Sequence, residues 1–104
     1  MGKYNYSCKK VKKDIVPYFS KEDAAKVAKI LGICFNSELF TLDDFTLGMN
    51  IELEHGFRFP ETNITDDDPI ITGKIALAHL NQYADYYDIL EELEDIAEKD
   101  SPNL

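Results

Sequence analysis

Glu52 and His55 stand three residues apart in the run Glu52-Leu53-Glu54-His55-Gly56. On a helix that spacing puts both side chains on one side. Glu-x-x-His is the helical arrangement by which bundle proteins hold iron in carboxylate sites. The chain's second histidine, His79, completes a set of two imidazoles and one carboxylate. That donor set suits zinc or non-haem iron, with a position left for water. The same side chains have a second reading, in which His79 donates to Glu52 inside a buried polar cluster and His55 satisfies free carbonyls at its helix end. An unpartnered buried imidazole costs about 1–3 kcal/mol, and Glu52, His55, Asp44 and the Tyr86 hydroxyl are the partners within reach. Di-iron sites draw carboxylates from more helices than this chain supplies, so the hydrogen-bonded cluster with no cofactor is the preferred reading and zinc or iron the alternative.

Other chemistry is less well supported. A histidine–carboxylate pair can move protons near neutral pH, but no Ser or Cys is placed as an activated nucleophile. Cys34 falls among apolar residues, which oppose thiolate formation. Thr72-Gly73-Lys74 ends like a phosphate loop, yet Asp68 stands at the first glycine and Ile75 at the magnesium-binding hydroxyl. Asp66-Asp67-Asp68 lacks the glycine and terminal glutamate of a calcium loop; these acids are expected to stabilise the start of the next helix. An enzyme is therefore not the favoured reading.

The elements that must position these residues are helices. Ser20, Glu22 and Asp23 open the first, Ala24, Val27, Ala28 and Leu31 repeat along it, and Gly32 stops it. Thr41 with Asp44 forms an acidic capping box for the second, from Leu42 to about His55, with Gly56 as its end. Its inward stripe is Leu42, Phe45, Met49 and Leu53, with Glu52 beside the stripe and Glu54 facing solvent. The segment 57–68 reads as an ordered loop. Asp68-Pro69 opens the third helix, Pro69 to Gln82, whose only polar strip runs through Lys74 and Asn81; it is expected to be central, with His79 buried. The fourth runs from about Asp85 to about Glu98, with Tyr86, Ile89, Leu90, Leu93, Ile96 and Ala97 on one side and Asp88, Glu91, Glu92, Asp95 and Glu98 on the other. The expectation is an all-α bundle of four helices over residues 15–99, between a basic flexible tail at 1–14 and a short tail at 100–104.

Charge bounds the partners. Residues 1–13 hold five lysines and no acid, whereas the remainder carries twenty acidic and six basic residues. Such a body repels phosphate backbones, so nucleic acid is not expected to bind except through the lysine tail. The acidic residues of the fourth helix, Asp88, Glu91, Glu92, Asp95 and Glu98, offer a surface to a basic protein. No apolar run approaches the roughly 18 residues that span a bilayer. Cys8 and Cys34 form no disulfide framework, which points to a reducing, cytoplasmic setting.

Several segments together carry a resemblance: Ala28-Lys29-Ile30-Leu31-Gly32-Ile33, Phe45-Thr46-Leu47-Gly48-Met49 leading into Glu52-Leu53-Glu54-His55-Gly56, Thr62-Asn63-Ile64-Thr65, Asp67-Asp68-Pro69, Thr72 to Asn81, and Asp85-Tyr86-Tyr87. Over roughly 19–98 the chain resembles an uncharacterised family of short bacterial and phage-encoded proteins, a domain of unknown function. Ala84 and Gln82 depart from that family's usual proline and glutamate, which bears on the turn into the fourth helix. The resemblance implies an intracellular, phage-related context and brings no activity. The function expected is that of a small acidic, non-enzymatic accessory protein that binds another protein.

Overall fold

Ser20 closes a capping box with Asp23 at the start of α1 (Lys21–Leu31): the Asp23 amide donates to the Ser20 hydroxyl at 3.0 Å, and the Ser20 amide donates to the Asp23 carboxylate at 3.1 Å. Accepting from the Ser20 amide and hydroxyl holds the Asp23 carboxyl below the usual carboxylate range. Gly32 ends α1 at φ +75°, a conformation that glycine adopts without strain. The computed structural model describes residues 18–99, with side chains through residue 97. The tails expected at 1–14 and 100–104, with residues 15–17 of the expected helical domain, lie outside the described residues.

α2 (Leu42–Arg58) opens on the expected box, Thr41 with Asp44. It does not stop at Gly56 but continues to Arg58, where the Phe59 amide bonds the His55 carbonyl. Gly56 serves packing instead. A Cβ there would lie 2.7 Å from Asn63 Oδ1, so its bare backbone admits the returning loop. That loop holds a 3-10 turn, Pro60–Thr62, and another 3-10 turn at Phe35–Ser37 joins α1 to α2.

α3 (Pro69–Gln82) begins as the sequence predicts: Asp68 Oδ1 accepts from the Ile70 and Ile71 amides, with Pro69 in the first turn. Asp66 and Asp67 take no part in that cap, and both adopt left-handed backbone (φ +51° and +64°), which aspartate tolerates better than most residues.

The core joins Ala24, Val27 and Ala28 of α1, Phe45, Met49, Ile51 and Leu53 of α2, and Thr72, Ala76 and Leu80 of α3. α1 and α3 approach closely at Gly73, where a Cβ would meet Val27 Cγ1 at 2.5 Å. α3 packs against all the other helices, as expected of the central helix, and α2 does so as well. The exposed strip of α3 includes Lys74 and Asn81 as expected, joined by Ile71 and Ala78. Asn50 of α2 ties down the chain before α1: its side chain accepts from the Phe19 amide at 2.6 Å and donates to the Phe19 carbonyl at 2.9 Å.

α4 (Tyr86–Lys99) buries only its beginning. Tyr87 is 1% exposed and Leu90 is half-buried against the core, but Ile89, Leu93 and Ile96 are 45%, 58% and 55% exposed. The apolar side predicted to pack inward thus leaves the bundle after about one turn. Among the described residues, no helix is long and apolar enough to cross a membrane.

Candidate functional site

One polar cluster joins α2, α3 and α4. The Tyr87 hydroxyl donates to Glu52 Oε2 at 2.7 Å and lies 2.9 Å from His79 Nδ1. His79 Nδ1 is also 3.2 Å from the same Glu52 oxygen. With the phenolic proton committed to the carboxylate, Nδ1 must be the donor toward both oxygens, which in the neutral ring leaves Nε2 as the acceptor. Tyr86 supports the ring from the side: its own ring stacks on His79 at 4.3 Å between centroids and 7° between planes. Burial, together with the hydrogen bond to Glu52 and its negative charge, raises the Tyr87 hydroxyl far above the usual tyrosine value, so it is a donor and not a nucleophile.

Gly48 makes this arrangement possible. A Cβ there would lie 2.5 Å from Tyr87 Cε2, so the tyrosine ring lies against the bare backbone of α2. That glycine, one helical turn before Glu52, was the only sequence signal for the inserted side chain. Tyr87 falls off the amphipathic stripe of α4, and stripe reasoning selects Tyr86 instead.

Of the residues expected in the cluster, Glu52 and His79 meet. His79 is not fully buried, with a third of its side chain exposed, because it sits at the margin of the α3 face defined by Thr72, Gly73, Ala76 and Leu80. Tyr86 contributes its ring, and the bridging hydroxyl belongs to Tyr87. Asp44 is outside the cluster, its carboxylate occupied by the Thr41 amide and hydroxyl at the start of α2. His55 turns toward α4, its Nε2 3.7 Å from Glu94 Oε2, and not toward the carbonyls of its helix end. Glu52, His55 and His79 therefore do not converge, and among the described residues no three His, Cys, Asp or Glu side chains are grouped to hold a metal ion. Cys34 is exposed, with the Ser37 hydroxyl 3.8 Å from its sulfur.

Beside the cluster lies a cleft of about 370 Å³, lined by Glu52, His55, Gly56 and Phe59 of the α2 end, by residues 62–65 and by Ile75 of α3. Asn63 organises its outer wall. Its Oδ1 accepts from the Thr65 hydroxyl at 3.1 Å and the Asp66 amide at 2.9 Å, while its Nδ2 donates to Asp67. The buried Thr65 hydroxyl also accepts from the Asp67 amide. Asn63 was legible only as a turn former, and its contact with Gly56 depends on a fold that local patterns do not specify.

The third surface is α4 itself. Asp88, Glu91, Glu92 and Asp95 are exposed as expected, while the side chain of Glu98 lies outside the described residues. The exposed Ile89, Leu93 and Ile96 run along the other side of the same helix.

No curated protein and no solved structure matches this chain. Residues 24–96, from within α1 to near the end of α4, match the family model described as protein of unknown function (DUF5661), and the chain belongs to that family.

Proposed function

We propose that this chain is a non-enzymatic, protein-binding accessory module acting in the cytoplasm, with a phage-related role, and that α4 is its contact surface. The observation that carries this reading is the exposed apolar row Ile89, Leu93 and Ile96 on a helix whose opposite side is acidic. Amphipathic helices of this kind bind by laying their apolar side into a groove, with flanking charges selecting the partner. The flanks here are carboxylates and the whole chain carries a net charge of −9, so a second copy is repelled and a groove rimmed by lysine or arginine is favoured. A zinc or iron function is the weaker reading, because His55 is directed to Glu94 and Glu52 already accepts from Tyr87.

The test is affinity capture from source cells with the wild-type chain and with a Leu93→Glu, Ile96→Glu double variant of unchanged melting temperature. A captured protein is identified and its binding repeated with purified components. The expected result is a partner that binds the wild type and not the double variant. Equal binding by both removes α4 from the reading. Stoichiometric zinc or iron in protein purified without a tag, lost on His79→Ala, overturns the reading in favour of the metal.

A further inference from the structure

We infer that the cleft beside Glu52 is a binding site for a basic side chain, arginine above all, supplied by the protein that docks on α4. The inference rests on the protein-binding reading above and adds a specific anchor to it.

The lining fits an arginine in charge, shape and unmet hydrogen bonding. Glu52 is held with only 16% of its side chain exposed, and both the Tyr87 hydroxyl and His79 Nδ1 address the same oxygen, Oε2. Among the described residues, Oε1 has no hydrogen-bond partner. A carboxylate oxygen so placed gains from a cationic N–H donor more than from a neutral one. Phe59, half-exposed, offers an aromatic face, and Ile64 and Ile75 offer apolar walls for an aliphatic stem. Among the described residues, neither lysine nor arginine lines the cleft. Arg58 lies over one face of the Phe59 ring, 5.8 Å from its centroid, and is paired with Glu54 at 3.6 Å, so an incoming guanidinium would take the other face of that ring.

A volume of about 370 Å³ is at the small end of the roughly 300–1,000 Å³ typical of ligand sites. It suits one side chain rather than a cofactor. Guanidinium is preferred over ammonium because it is planar, less strongly hydrated and stacks on aromatic faces. The cleft also borders the docking helix: His55 lines it and reaches Glu94 of α4 at 3.7 Å. A partner that lies on α4 and reaches around it past Glu94 comes to the His55 edge of the cleft.

The experiment is a titration of the 15N-labelled chain with Nα-acetyl-arginine amide and with its neutral isostere, Nα-acetyl-citrulline amide. Capped arginine is expected to shift the amides of Gly56, Asn63 and Thr65 saturably, and to bind about tenfold more tightly than citrulline. Glu52→Gln is expected to bring that ratio to about one. Glu52→Gln also alters the Tyr87 contact, so Ile64→Lys provides a second variant. Ile64 is 83% exposed, and an ammonium at its position competes with the probe without touching the Tyr87–Glu52–His79 hydrogen bonds. Equal affinity for the two probes overturns the inference, as does the absence of saturable cleft shifts up to roughly 20 mM. A single capped residue does not engage α4, so the two readings fail separately. Selective cleft binding with an α4-independent partner keeps the basic-side-chain site and overturns its supply by a protein docked on α4. An α4-dependent partner without arginine selectivity overturns the site and keeps the α4 surface.

Discussion

The Tyr87 hydroxyl lies 2.7 Å from Glu52 Oε2 and 2.9 Å from His79 Nδ1, so one phenol joins three helices at a single point. Tyr87→Phe keeps the ring against Gly48 and removes only the hydroxyl. A partly buried carboxylate and an imidazole then lose a shared partner, and the expected cost is about 1–3 kcal/mol. Urea unfolding should show a lower midpoint with an unchanged slope. An unchanged midpoint would mean that water replaces the phenol at no cost.

The same hydroxyl makes stability depend on pH at the alkaline end. Its folded pKa lies above the unfolded value of 10.0, so the folded state holds this proton more tightly than the unfolded chain. That contribution is complete below about pH 10 and is lost as pH rises above it toward the folded value. Unfolding free energies measured between about pH 8 and 11 should fall more steeply in the wild type than in Tyr87→Phe. Parallel curves would contradict the assignment.

Gly48→Ala tests the close approach directly. Alanine favours helix over glycine by about 1 kcal/mol, but its Cβ would meet Tyr87 Cε2 at 2.5 Å, and overpacking of this kind costs about 1–3 kcal/mol. The substitution should be net destabilising in the wild type and stabilising in a Tyr87→Ala background, where the obstacle is gone. A double-mutant cycle reads the difference as coupling between the two positions.

The helix starts were legible because they depend on neighbours in sequence. Ser20 with Asp23, Thr41 with Asp44, and Asp68 before Pro69 each satisfy first-turn amides locally, and all three caps form. The Glu52–His79 pair was legible from helical spacing, since both sit beside apolar stripes that must face each other. Gly56 misled because a helix-stopping glycine and a glycine that admits Asn63 are the same residue in sequence. Tyr87 was missed for a related reason. Its insertion follows from where α4 crosses α2 and α3, and periodicity along α4 assigns the inward role to Tyr86. The metal reading required His55 to face inward, and its rotation toward Glu94 depends on that same crossing.

The exposed row on α4 gives the last prediction. If Ile89, Leu93 and Ile96 contribute to a docking surface and not to the core, charged substitutions there should leave folding almost untouched. Leu93→Glu and Ile96→Glu, at residues more than half exposed, should each change the unfolding free energy by no more than about 0.5 kcal/mol. Leu80→Ala provides the contrast: that residue is 2% exposed in the hydrophobic core, and emptying its site should cost about 2–5 kcal/mol. Both are measured by chemical denaturation of the isolated chain. A loss above about 1 kcal/mol at Leu93 would mean that the row is covered within the chain itself, and the surface on which the protein-binding reading stands would no longer be available to a partner.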